Sequence, residues 1–223
     1  MNRNFLNRFK TVCSAFLFIS VGLVYAGSYE DFFSAIARDD SNQIKRLLAR
    51  GFDANTLDPT GQTGLHLALS EPSLKTALIL IEWHSTDVNK LNLKGESVLM
   101  MAALRGHTGL AAKLIDKKAD VNKTGWTPLH YAASSGQVDI ISLLLDNSAY
   151  IDAESPNRTT PLMMAAKYGS SASVKFLLDQ DADFNLKNEQ GLTALDFARQ
   201  GERPDAEQAI AARIKNMQPP EKW

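Results

Sequence analysis

One nine-residue segment, Gly125-Trp126-Thr127-Pro128-Leu129-His130-Tyr131-Ala132-Ala133, recurs along this chain in degraded copies. The other copies are Thr63-Gly64-Leu65-His66-Leu67-Ala68, Ser97-Val98-Leu99-Met100-Met101-Ala102-Ala103, Thr160-Pro161-Leu162-Met163-Met164-Ala165-Ala166 and Thr193-Ala194-Leu195-Asp196-Phe197-Ala198. Their opening residues fall at 63, 97, 127, 160 and 193, so the steps are 34, 30, 33 and 33. A chain repeating at such an interval builds one small unit several times and buries it against its own copies.

The local chemistry of a copy predicts two short helices. Thr127 has a hydroxyl that can cap, and Pro128 at the first helical position has no amide to waste. The first helix runs to Ala133 and Ser135-Gly136 breaks it. A second, Val138 to Asp146, places Ile140, Ile141, Leu144 and Leu145 on one face. Neither helix buries its stripe alone, whereas stacked units share a continuous core. Each second helix leads into a segment ending in Asn or Asp, at Asn55, Asn89, Asn122, Asp152 and Asn185. From there to the next Gly (or Arg158) is six residues in four units, but only three from Asn122 to Gly125. Trp83-His84-Ser85-Thr86 holds one residue more than its counterparts.

A period near 33 carrying Thr-Pro-Leu-His-x-Ala resembles the ankyrin repeat, and the resemblance covers nearly everything after residue 28. It implies an all-α solenoid of helix-turn-helix units joined by short β-hairpin-like fingers, the third of which is clipped. Six units are expected over a domain spanning 27–217: 30–58, 59–92, 93–122, 123–155, 156–188 and 189–215. The first lacks the Thr-Pro opening but keeps Ala35, Ile44, Leu47 and Leu48 on core positions, as an N-terminal cap would. The last carries Glu202, Arg203, Glu207, Arg213 and Lys215 on its outer face, suited to a polar end. Residues 218–223 form a frayed tail.

Residues 1–26 have the order of a signal peptide: Arg3, Arg8 and Lys10, then the apolar run Val12 to Val24, then Val24-Tyr25-Ala26 before Gly27. The competing reading is an uncleaved anchor, for which the run is short against a span of roughly twenty residues. Cys13 has no lipobox-like sequence around it. Cleavage after Ala26 leaves no cysteine, and 21 basic against 25 acidic residues. That composition suits an oxidising compartment and carries no basic stripe for nucleic acid or anionic membrane. The leader's style points to a Gram-negative periplasm, with eukaryotic secretion as the alternative. In that second case Asn122-Lys123-Thr124 and Asn157-Arg158-Thr159 would be glycosylation sequons.

Catalytic and cofactor motifs are not in evidence: no GxGxxG, P-loop, nucleophile elbow or HExxH occurs. His66 and His130 stand in the repeat motif, where the family's ring bonds neighbouring backbone, and His107 in the inter-helix turn is likewise structural. His84 with Glu82 and Asp87 is a weak metal-site candidate. Met100-Met101 and Met163-Met164 read as gap-fillers rather than copper ligands. No cofactor or metal is therefore expected, and no enzymatic activity.

What the resemblance does imply is a concave groove lined by the residue after each finger glycine and the two closing the first helix. Here those are Gln62, Ser70 and Glu71; Glu96, Leu104 and Arg105; Trp126, Ser134 and Ser135; Thr159, Lys167 and Tyr168. Trp126, Tyr168 and Arg105 are expected within reach of one another as interface anchors. The competing reading is that Trp126 packs on the adjacent finger and Tyr168 caps a helix end. The expected function is a monomeric, exported, non-enzymatic protein-binding module with a protein partner. The alternative is a protective periplasmic factor assisting an enzyme such as a catalase, as some bacterial ankyrin proteins are thought to do.

Overall fold

In the computed structural model the described residues are 27–70 and 73–217, so the leader, Glu71 and the tail lie outside them. A first helix, α1, is described over 27–37. Eleven more follow: α2 (Ser41–Ala49), α3 (Gly64–Ser70), α4 (Leu74–Glu82), α5 (Val98–Arg105), α6 (Thr108–Asp116), α7 (Pro128–Ser135), α8 (Val138–Asp146), α9 (Pro161–Tyr168), α10 (Ser171–Asp179), α11 (Ala194–Gln200) and α12 (Pro204–Met217). From α3 onward the odd-numbered helices pack side by side in one layer; the even-numbered ones from α2 pack in a second. This is the all-α solenoid that the period predicts.

Between the layers runs one core. Leu65, Leu99, Leu129 and Leu162, the leucines of the first four copies, are at most 1% exposed. Ile44, Leu80, Leu114, Ile140 and Val174 face them from the outer layer at 0%. Helices of seven to nine residues would be marginal in water, so it is this shared burial that holds them. The first motif has Gly64 where others have proline because Phe32 and Ile36 of α1 pack directly on it.

The helix starts use the fourth motif residue in a way composition conceals. In α5 and α9 the Ser97 and Thr160 hydroxyls accept the Met100 and Met163 amides at 3.3 and 3.4 Å. The methionine sulfurs in turn accept the Ser97 and Thr160 amides at 3.3 and 3.4 Å. Asp196 does the same for Thr193 at 2.8 Å. At α7 the expected hydroxyl cap is replaced: the Thr127 hydroxyl bonds the His130 ring at 2.9 Å, and His130 Nδ1 accepts the Thr127 amide at 3.2 Å.

Between units the fingers are tight turns rather than hairpins; among the described residues the one isolated bridge pairs Leu57 with Thr63. Asp58, Asn92, Ser155 and Asn188 each donate their amide to the carbonyl four residues on, at 2.8, 3.0, 3.0 and 3.1 Å. The connector between Asn122 and Gly125 makes no such bond among the described residues, so the third finger is missing as a turn. The neighbouring finger is built for that gap. Glu189 donates its amide to the Asn157 carbonyl of the preceding finger at 3.1 Å. At the same turn position the first finger has Pro59 and the fourth has Pro156, which have no amide to offer. Those are the two fingers with no finger turn before them.

At the other edge an amide ladder ties units together. Asn55, Asn89 and Asn122 accept the amides of Asp87, Asp120 and Tyr150 at 2.7, 2.8 and 2.9 Å. Their Nδ2 groups donate to the Ser85, Lys118 and Ser148 carbonyls at 2.8, 3.0 and 2.7 Å. Asp152 holds the next rung and accepts the Asp183 amide at 3.0 Å, but a carboxylate cannot donate to the Asp181 carbonyl. Burial, then the charge of Asp183, pushes the Asp152 carboxyl upward. We expect Asp152→Asn to complete the ladder and stabilise the fold by about 1 kcal/mol. Chemical denaturation at neutral pH tests this; an unchanged or lowered midpoint contradicts it.

Candidate protein-binding groove

The inner helices present one face outward, and on it lies a cleft of about 260 Å³ lined by Leu104, Trp126, His130, Tyr131, Ser134 and Met164. Trp126, His130 and Ser134 follow one another at intervals of four along α7 and its entry, hence on one helix face. Leu104 of α5 and Met164 of α9 close the sides. The cleft opens beside the connector where the finger turn is missing.

Its polar groups are already satisfied. The Tyr131 hydroxyl donates to Glu96 at 3.1 Å, and burial, then Glu96, pushes it up to about 12. Glu96 also accepts from Asn92 at 2.8 Å. Ser134 and Ser135 both donate to the Tyr131 carbonyl at 2.9 Å. His130 Nε2 bonds the Thr159 carbonyl at 2.9 Å, and its ring stands edge-on to Trp126 with centroids 5.2 Å apart. The cleft therefore offers apolar and aromatic surface with few free donors.

The expected groove residues separate into two groups. Leu104, Trp126 and Ser134 meet in the cleft, with Glu96 bonded to its Tyr131. Arg105, Ser135, Lys167 and Tyr168 close the C-terminal ends of α5, α7 and α9, the first two next in the chain to the cleft's Leu104 and Ser134, and lie outside its lining. Of the three expected anchors, Trp126 lines the cleft. Trp126 is half-buried against the core, so its packing reading holds in part, while Tyr168 is 56% exposed. The Lys167 ammonium lies 5.3 Å from the Tyr168 ring and 5.7 Å from that of Phe197. Thr159 is 2% exposed, Gln62 bonds Thr60 and Ser70 bonds the His66 carbonyl, so none of these presents a free side chain.

Tyr131 and Met164 are the groove residues that sequence reasoning missed. They occupy the x of Thr-Pro-Leu-His-x-Ala, where the chain has Leu67, Met101, Tyr131, Met164 and Phe197. Variation at one position inside a repeated motif was the available signal. No described group of three His, Cys, Asp or Glu could hold a metal, and Glu82 instead pairs with Lys113 and Lys117 at 3.4 Å. Among the described residues no helix is long and apolar enough to cross a membrane.

A stacked helix-pair solenoid with a concave recognition face defines a class of repeat proteins built for binding other proteins. Residues 32–123 and 71–157 match the family of ankyrin repeats in three copies, and 149–198 that of ankyrin repeats in many copies. The chain belongs to the ankyrin repeat family, whose repeats are protein–protein interaction modules. It is 37% identical over 128 residues to the human neurogenic locus notch homolog protein 1, covering 56% of this chain and 5% of that one. It is 28% identical over 182 residues to a transient receptor potential cation channel subfamily A member 1 homolog of Caenorhabditis elegans, covering 78% of this chain and 15% of that one. The match spans only 5% and 15% of the lengths of these curated relatives. Among solved structures, an ankyrin repeat domain of Acinetobacter baumannii superposes with a TM-score of 0.70 at 26% identity, covering 82% of this chain and 97% of that one. A chain in the complex of a Bdellovibrio bacteriovorus predatory endopeptidase with an immunity protein also superposes with a TM-score of 0.70, at 28% identity and the same coverages.

Proposed function

We propose that this protein is exported to the periplasm and binds a folded protein partner through its concave face as a monomer, without catalysing a reaction. The observation that carries this reading is the apolar cleft on the concave face of α7, opened where the third finger turn is missing. Affinity capture with the exported protein, followed by mass spectrometry, tests it. A partner retained equally by a variant with the third finger rebuilt to six residues would place binding elsewhere.

Export rests on the charged, apolar, small-residue order of residues 1–26. The expected mature N-terminus is Gly27, and intact-mass measurement on the exported protein checks it. A mass that includes Met1 would revive the anchor.

A second reading is favoured by the match to a chain of the endopeptidase–immunity protein complex, which covers 97% of that chain. On this reading the partner is an exported enzyme that the protein restrains or shields, an endopeptidase or a protective enzyme such as a catalase. Growth loss of a deletion strain that is relieved by also deleting an endopeptidase would support the first, and peroxide sensitivity the second.

A further inference from the structure

The cleft's size, lining and surrounding charge specify what kind of segment enters it. At about 260 Å³ it falls below the roughly 300–1,000 Å³ of small-molecule sites and is sized for a single side chain. The Tyr131 and Ser134 hydroxyls are committed within the protein, so an entering polar group would find little to bond. Tyr131, Trp126, Leu104 and Met164 instead offer rings and a pliable thioether to an aromatic or long aliphatic side chain.

Charge around the cleft runs against the rest of the chain. The protein as a whole has 24 basic and 25 acidic residues, and its described ion pairs lie away from this cleft. Arg105 follows Leu104, Lys167 lies one turn beyond Met164, Lys123 precedes Trp126 in the shortened connector, and Lys94 sits on the second finger. None of these four makes an ion pair among the described residues. Glu96, the carboxylate that bonds the cleft's Tyr131, is also held by Asn92. An apolar slot whose lining residues have cations close by in the chain, none of them in an ion pair among the described residues, fits a partner segment of complementary charge.

We propose that the partner inserts an acidic linear segment, one aromatic or large aliphatic anchor flanked by Asp or Glu, into the cleft beside the shortened third connector. This rests on the concave-face reading above and gives its partner a chemistry. The probe is a random peptide library displayed on phage and selected on the immobilised exported protein. Enriched peptides should share an anchor of that type between acidic residues. A synthetic consensus peptide should bind at least about tenfold more weakly to Arg105→Glu/Lys167→Glu, and affinity should fall as salt rises. Arg105 is exposed, while Lys167 is half-buried beside the Tyr168 and Phe197 rings. Melting is therefore measured on each single variant, and the binding loss is read from those that melt as the native protein does; Ser134→Trp, which fills the cleft, is the companion variant. No enrichment, basic or anchorless consensus peptides, or undiminished binding to Arg105→Glu/Lys167→Glu overturns the proposal. Should the captured protein partner be retained equally by both variants, the concave-face reading can survive while this inference falls. If the native protein captures no partner, the peptide selection still decides the inference alone.

Discussion

Replacing Gly169 by alanine lowers the melting temperature by about 10 °C, the largest effect expected of any single methyl group in this chain. The cause is not backbone freedom. Gly169 has φ −78° and ψ −153°, an extended conformation open to any residue. A Cβ there would lie 2.3 Å from the Ala133 carbonyl oxygen of the preceding unit and 2.9 Å from the Ala165 backbone. Neither neighbour is a flexible side chain, so α9 must move off α7, where the inner layer is most closely packed. Overpacking of this kind costs about 3 kcal/mol. The control is Gly136, at the same place one unit earlier. It has φ +72°, and a Cβ would meet Ser170 at 3.0 to 3.1 Å, which a small shift relieves. Gly136→Ala therefore costs only the left-handed backbone, about 1 kcal/mol. Scanning calorimetry on both variants checks the order. If Gly169→Ala melts within about 2 °C of Gly136→Ala, the close approach is not what fixes the glycine.

That pair of glycines shows where the sequence was legible. Helices, their start residues and the missing finger turn follow from spacing alone, because each is decided within one unit by a cap, a proline or a count of residues. Gly136 and Gly169 look alike in the same way, yet they answer to different neighbours. The difference lies in how close one unit stands to the next, which a single copy of the motif does not encode. Trp126 repeats the lesson. Its place after the finger glycine marked it as groove-facing, while its partial burial depends on His130 turning an edge toward it. Tyr131 and Met164 sit inside a helical motif, where the methionine pairs read as gap-fillers of the core. Met101, at 7% exposure, shows that assignment is right in one unit, and the half-exposed Tyr131 that it fails in another. Asp152 was visible only as one more Asn or Asp, whereas in the fold it is the rung that cannot donate.

Acid will unfold this protein through two histidines, beginning near pH 6.5. His66 Nε2 lies 3.0 Å from the Glu96 carbonyl and His130 Nε2 2.9 Å from that of Thr159. A carbonyl only accepts, so Nε2 carries the proton and Nδ1 must accept from the threonine hydroxyl, at 2.8 Å in His66 and 2.9 Å in His130. Both rings are 0% exposed and bridge one unit to the next in neutral form. Burial lowers both, and it takes His130 down to about 4 despite the carbonyls of Thr159 and Ala153. A base with a lowered folded value binds fewer protons folded than unfolded, so stability is complete above about 6.5 and is lost as pH falls toward 4. For His130 the shift from 6.5 to about 4 corresponds to about 3 kcal/mol, and His66 and the less buried His107 act in the same direction. The carboxyls of Glu82, Glu154 and Asp196, held low by their partners, lose their contribution only at lower pH. The chain supplies its own control, because Met100 and Met163 fill the same position in two other units and cannot titrate. His66→Met/His130→Met gives up two bonds between units, costing about 1 kcal/mol each at pH 7. Between pH 6.5 and 5 its melting temperature should fall less than the native protein's, so the two curves converge; His107, which burial also lowers, remains in both and titrates alike. Parallel curves across that window would mean that the histidines do not set the acid limit.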